Sequence, residues 1–335
     1  MKFKDNLPTF LIIVLLLICL IYSYTCDKES DNLINIEVVP TLITKFGDNA
    51  IYTSTFQLIW NDLKEEVESD VVFLEVLDNQ MVLDLNKETF KESDLSLDYY
   101  YKKHGYMTPS LKEEIKENIL NKFNKTSDIL EEFNFYEDSQ DYFFYSMLVK
   151  DFEFLYPFDI LNDKEFGISE NSKSELDKNI KVLYYKDNSD YAVLLETKSN
   201  DEIILIKGAV GNNFLEIYES LDFDTLEEFK VDDTIRISNL DFLVNGSYKE
   251  LENKKFLIKD NSYEIDKTLE VIEFKMNNKG GSVKSESGMS VNKMALVPSR
   301  HFDFSDNFTL FIKEKDKDLP YLGIKISDIE KFLNS

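Results

Sequence analysis

The chain contains the stretch VIEFKM, NNKGG and SVKSESGMSV at residues 271–276, 277–281 and 282–291. The first segment is apolar enough for a buried strand, and the second is a turn or hinge whose glycines tolerate positive φ. In the third segment the residues of one parity are small or apolar, namely Val283, Ser285, Ser287, Met289 and Val291. Those of the other parity are polar, namely Lys284, Glu286 and Ser290. This alternation predicts a strand with an undersized inner face, which could slide between two other strands.

The sequence beyond this stretch has a specific order. Phe302 is followed after five residues by FTLFIK at 308–313, then by a turn at 314–318 and by YLGIKI at 321–326. This order and spacing resembles the C-terminal region of serpins, protease inhibitors whose reactive loop inserts into their own central sheet. The tetrapeptide Lys279–Ser282 is similar to the hinge of that loop, and the spacing from Gly280 to Phe302 is close to what a serpin loop needs.

The resemblance covers roughly the last two-thirds of the chain. Residues 144–159 resemble the third strand of the serpin central sheet, which ends in Pro-Phe-Asp, and 234–251 resemble a later strand with its Ser-Tyr continuation. Phe154 and Ser146 stand where the family has Trp and Asn. Residues 56–63 resemble the first serpin helix, but the Ser-Pro-x-Ser-Ile segment expected after it is missing. The chain thus resembles a divergent, short serpin of the exported bacterial type.

The resemblance implies an α+β, serpin-like fold, with helices in the N-terminal half and large antiparallel or mixed sheets that carry an exposed reactive loop. It implies an exported protease inhibitor that acts by loop cleavage and insertion. Its partner would be a serine or cysteine protease, and the inhibitor would be a monomer that needs no cofactor and is not itself an enzyme. The alternative is a non-inhibitory surface protein of the same fold, with a binding, adhesion or structural role.

The resemblance also implies site residues. The hinge comprises Gly280, Gly281, Ser282, Val283, Ser285 and Ser287, and the scissile region comprises Lys293, Met294, Ala295 and Leu296. With Gly280 as the hinge glycine, the small residues point inward and the charges outward, which is the register we favour. With Gly281, Lys284 and Glu286 point inward, and buried unpaired charges would resist insertion. Counting from the hinge favours cleavage at Met294, and counting back from Phe302 favours Leu296.

The whole chain has 335 residues and a net charge of −26, which argues against a nucleic-acid partner because phosphate contact needs clustered Lys and Arg. Residues 1–26 combine a basic start with an apolar run and predict a signal peptide or membrane anchor, so the protein would be secreted or tethered outside the cytoplasm. Residues 33–335 would form one serpin-like domain. Both cysteines, Cys19 and Cys26, lie in the N-terminal segment, so that domain has no disulfide.

Local patterns predict the main elements. Apolar spacing indicates a helix over 51–68, and Ser110 with Glu113 indicates a capped helix start. Three strands separated by polar turns are expected between 181 and 206, and mostly strands after 234. Catalytic and metal motifs are missing from the sequence, and its two histidines, His104 and His301, are interpreted as surface or structural residues.

Overall fold

The computed structural model describes residues 36–170, 172, 175–279 and 299–333. Its α-helices are α1 (Ser54–Val67), α2 (Gln80–Leu85), α3 (Pro109–Phe123) and α4 (Phe214–Glu219). Short 3₁₀ helices lie at Glu92–Asp94, Leu97–Tyr99, Leu130–Glu132, Leu176–Asn179 and Ile329–Phe332. Of the four α-helices in the described residues, three therefore belong to the N-terminal half, as the sequence predicted.

Eighteen strands are present in the described residues. The first nine are β1 (Glu37–Val39), β2 (Ala50–Thr53), β3 (Tyr100–Tyr106), β4 (Tyr142–Leu148), β5 (Asp159–Asn162), β6 (Glu165–Ile168), β7 (Ile180–Asp187), β8 (Asp190–Glu196) and β9 (Asp201–Lys207). The others are β10 (Glu227–Glu228), β11 (Thr234–Ser238), β12 (Leu240–Gly246), β13 (Lys255–Ile258), β14 (Asn261–Glu264), β15 (Glu270–Met276), β16 (His301–Phe304), β17 (Phe308–Glu314) and β18 (Leu322–Ile326).

The largest sheet has eight strands in the order β1-β2-β18-β17-β9-β8-β7-β10. Only β1 and β2 are parallel neighbours, and the other pairs are antiparallel. All seven residues of β17 are buried because this strand lies in the middle of the sheet and both of its faces are covered. The predicted meander between 181 and 206 is confirmed as β7, β8 and β9.

A four-stranded sheet has the order β16-β11-β6-β5, in which β11 and β16 are parallel. It packs on one face of the large sheet through phenylalanines such as Phe166, Phe302 and Phe304, which belong to the same core as Tyr191 of β8. The opposite face of the large sheet packs on α4. There β18 has Gly323, because a Cβ atom at that position would come within 2.9 Å of the Phe214 ring.

Three further strand pairs complete the fold: β3 with β4, β12 with β15, and β13 with β14. The pair β3–β4 lies between two helices because its side chains alternate. Phe143 and Tyr145 pack on Ile115 of α3, whereas Phe144 packs with Trp60 of α1. The predicted α+β class, with few helices and several mixed or antiparallel sheets, is thereby confirmed.

Two predicted helix boundaries were wrong. The N-cap of α3 is Thr108, whose Oγ1 accepts a hydrogen bond from the Leu111 amide at 3.4 Å, and Pro109 occupies the first turn. Proline fits there because its missing N–H would have no helical partner. The helix predicted over 51–68 begins only at Ser54, because the preceding residues form β2 and pair with β18.

Candidate functional site: a groove between two strand pairs

A groove of about 1570 Å³ lies between β4 and β15. Within the described residues β4 pairs only with β3, and β15 pairs only with β12. All of β4 and most of β15 line the groove, so the edge of each strand that faces it has no strand partner in this part of the chain. Unpaired strand edges present backbone N–H and C=O groups that can bind another strand.

The segments that follow β4 and β15 are joined beyond one end of the groove. After β15, the Lys279 and Asn278 carbonyls accept hydrogen bonds from the amides of Phe154 and Phe158 at 3.3 and 2.8 Å. At the other end, the ring centroid of Tyr142, the first residue of β4, lies 5.6 Å from that of Tyr263 in β14, the strand that precedes β15. Since the residues after both strands meet at one end, β4 and β15 run in the same direction, and a strand that returns from β15 would be antiparallel to both.

The floor of the groove is the junction between β2 and α1. Thr53, Thr55 and Phe56 of this junction line the groove, and Trp60 of α1 continues the floor. From β4, Ser146 Oγ donates a hydrogen bond to the Thr55 carbonyl at 2.8 Å. From β15, Glu270 binds Thr53 and Thr55. One junction therefore connects the two strands that flank the groove.

In the described part of the chain, the carboxylate of Glu270 is bonded only by hydroxyl groups. Its Oε1 lies 2.5 Å from Thr53 Oγ1 and 2.6 Å from Thr55 Oγ1, and its Oε2 accepts a hydrogen bond from Tyr248 Oη at 2.5 Å. Burial raises the pKa of Glu270 above its ordinary value, although the three hydroxyls act in the opposite direction. Burial and the nearby carboxyl also raise the pKa of Tyr248.

A buried ionic cluster lies just after β4. Lys150 Nζ is 2.7 Å from Asp201 Oδ1 and 2.6 Å from Glu314 Oε1, and all three side chains are at most 5% exposed. The ring of Tyr99 lies 3.7 Å from the same ammonium group. Because Asp201 begins β9 and Glu314 ends β17, this cluster connects the end of β4 to the large sheet. Lys150 also lines the groove.

The predicted hinge residues Gly280, Gly281, Ser282, Val283, Ser285 and Ser287 lie outside the described residues, and so do Lys293, Met294, Ala295 and Leu296. The structure instead describes where this segment begins and ends. It follows β15 and the bonded Lys279, and the chain returns at Ser299. The next residue, Arg300, donates to Asp233 Oδ2 through Nη2 at 2.7 Å and to Glu227 through Nη1 at 2.7 Å. The predicted targeting segment 1–26 also lies outside the described residues.

The polar floor of the groove was not among the predicted site residues. The strand was predicted to begin at Val271, although the parity of the buried residues Ile272, Phe274 and Met276 puts Glu270 on the inward face. A charged residue in the buried phase of a strand is the signal that could have identified this position. The Thr-Ser-Thr run at 53–55, just before a helix, was the second signal.

Of the two positions that depart from the serpin pattern, Ser146 lines the groove and Phe154 lies beyond its end. Ser146 binds the floor, and Phe154 is fully buried with its amide bonded to Lys279.

His104 lies on β3 between carboxyls of α1, with Nδ1 3.4 Å from Asp62 Oδ2 and Nε2 3.2 Å from Glu66 Oε1. No group of three or more potential metal ligands occurs in the described residues, and no helix among them is long and apolar enough to cross a membrane.

Comparisons with protein-family models and with curated proteins gave no match. Among solved structures the chain is similar to serpin48 of the insect Tenebrio molitor, with 10% identity, a TM-score of 0.45, and coverage of 86% of this chain and 93% of that one. It is similar to the mouse protein-Z dependent protease inhibitor, with 10% identity, a TM-score of 0.47, and coverage of 84% and 91%. A serpin of the trematode Schistosoma haematobium has 11% identity, a TM-score of 0.38, and coverage of 65% and 63%.

Proposed function

We propose that this protein is an exported, serpin-like protease inhibitor that acts by cleavage and insertion of the segment 280–298. The observation that carries this proposal is the groove between β4 and β15. It offers two strand edges, and the segment begins a few residues after β15. A returning strand from that segment would therefore meet the groove without crossing any other element.

The chemistry belongs to the target protease. Its serine or cysteine nucleophile attacks a peptide bond between Lys293 and Val297, and an acyl-enzyme forms while the new amine of the downstream fragment leaves. The upstream fragment remains attached to β15 and carries the protease at its new end. Insertion of that fragment between β4 and β15 then moves the protease and distorts it before water can deacylate it.

Insertion is favourable only if the inward side chains fit. The buried residues of β15 have even numbers, and the small residues of the segment, such as Val283 and Ser285, have odd numbers. If Met276 faces Gly281 across a four-residue turn, Phe274 faces Val283 on the inner side, and Glu273 faces Lys284 on the outer side. Opposite charges directly across a strand pair are favourable, which supports the register with Gly280 as the hinge glycine.

The experiment is incubation of the purified protein with a panel of serine and cysteine proteases, followed by denaturing electrophoresis. We expect an adduct that survives SDS, with a mass equal to the protease plus the upstream fragment. Val283→Glu should abolish the adduct and leave clean cleavage, because a buried unpaired charge opposes insertion. Lys284→Glu is the matched control and should still form the adduct.

Cleavage without any adduct across the panel would contradict the inhibitory mechanism. That outcome would favour the non-inhibitory alternative, a surface protein of the same fold with a binding or structural role. The polar segment that follows the hinge, with Lys284 and Glu286, is the observation that favours this second candidate.

A further inference from the structure

Glu270 differs from every other buried carboxyl in the described part of the chain. The others each have a lysine or arginine partner: Asp62, Asp84, Asp201, Asp233, Glu252 and Glu314. Glu270 is equally buried, but its partners are three neutral hydroxyls. An ionised carboxylate at this position would therefore be a buried charge without a counter-ion, which is costly.

The geometry around Oε1 indicates which protonation state fits. Oε1, Thr53 Oγ1 and Thr55 Oγ1 form a triangle, with edges of 2.5, 2.6 and 2.8 Å. Each edge is short enough for a hydrogen bond and needs one proton. The two threonines supply one proton each, so an ionised Glu270 leaves one edge as a contact between two lone pairs. A protonated Glu270 supplies the third proton and closes the ring.

We propose that Glu270 is a proton-operated latch, which carries a proton in the folded protein at pH values where exposed carboxyls are ionised and which weakens when it loses that proton. The latch ties β15 to the β2–α1 junction, to which Ser146 ties β4. Ionisation therefore loosens the β15 side of the groove. This consequence for the groove rests on the proposed function, whereas the protonation state itself does not.

Among the residues that the structure describes, no charged side chain pairs with Glu270 to hold it ionised. The titratable groups that face it are Tyr52 of β2 and Tyr248, which follows β12. Burial and the Glu270 carboxyl raise the pKa of both tyrosines, so they stay neutral over the range in which Glu270 titrates. Opposite Glu270 in the strand pair is Gly246, which has no side chain.

The sign of the pH dependence follows from the raised pKa. A carboxyl whose pKa is raised by folding contributes stability that is fully present below its pKa in the unfolded state, near 4.5. This stability is lost as the pH rises through the pKa of the folded state. Between these two pH values, the unfolding constant should rise by up to about tenfold per pH unit relative to a variant that cannot titrate. Above the pKa of the folded state, the difference between the unfolding constants of wild type and variant should level off.

The test is the unfolding constant of the uncleaved protein, measured with denaturant across this pH range for wild type and Glu270→Gln. We expect the wild-type unfolding constant to rise relative to that of the variant as the pH increases. Glu252→Gln is the matched control. Burial acts to raise the pKa of Glu252, but Lys249 and Thr268 more than offset it, so its pKa is lowered. The wild-type unfolding constant should therefore fall relative to that of Glu252→Gln as the pH increases, which is the opposite sense.

Identical pH profiles for wild type and Glu270→Gln would overturn the latch. Infrared spectroscopy of the wild type gives a second readout that needs no folded variant. As the pH is raised, the band of one buried protonated carboxyl should persist after the exposed carboxyls have ionised. Absence of that band would also overturn the proposal. Both measurements use the protein without protease, so a failure to inhibit leaves their outcome unaffected, and the reverse also holds.

Discussion

The buried ammonium of Lys150 should be among the most sensitive positions in the chain. Lys150→Met keeps a long side chain of similar volume but removes the cation that neutralises Asp201 and Glu314. Their other partners, such as Tyr321 Oη at 3.1 Å from Asp201 and Ser96 Oγ at 2.5 Å from Glu314, are neutral donors. Two carboxyls that shared one ammonium would then face each other in the interior.

Removing one partner of a buried ion pair typically costs about 3–5 kcal/mol. With an unfolding entropy of about 2.1 cal/mol/K per residue and roughly 300 ordered residues, each degree corresponds to about 0.6 kcal/mol. We therefore expect Lys150→Met to lower Tm by about 5–8 °C at neutral pH.

The assay is calorimetric or circular-dichroism melting of wild type and variant at several pH values. Lys103→Met is the control, because Lys103 also contacts a carboxyl, Glu114 at 2.6 Å, but both side chains are more than a third exposed. An exposed pair contributes at most about 1 kcal/mol, so this variant should lose less than about 2 °C. If both variants lost the same small amount, the reasoning about the buried cluster would be refuted.

Three further predictions concern the loop and the domain. An elastase- or chymotrypsin-like protease should cut first between Met294 and Val297, which N-terminal sequencing of the fragments would verify; first cuts elsewhere with this loop intact would reject the reactive-loop interpretation. Cleavage should raise Tm, because the freed strand gains ladder hydrogen bonds and buries its inner face. Val283→Glu should reduce this rise in Tm, whereas Lys284→Glu should not. The reverse result would indicate the other register, with Gly281 as the hinge glycine. Residues 33–335 should fold alone, which two stable proteolytic halves split outside the loop would disprove.

The sequence was sufficient for the elements that depend on local pattern. The meander of β7, β8 and β9 followed from apolar runs separated by polar turns, and β15 followed from its apolar composition just before a turn. Apolar runs also predicted strands at β17 and β18 near the C-terminus. These predictions succeeded because hydrophobic periodicity and turn residues act within a few positions along the chain.

What only the tertiary structure decided is the arrangement of the groove and its floor. Local pattern cannot reveal that β4 and β15 stay unpaired along facing edges, because these two strands lie more than a hundred positions apart in the sequence. Nor can it reveal that Thr53 and Thr55 meet Glu270, since their sequence separation exceeds two hundred residues. The sequence determined which residues are polar and which alternate. The fold determined which polar residue has hydroxyls for partners instead of a cation, and burial is what gives that difference its energetic weight.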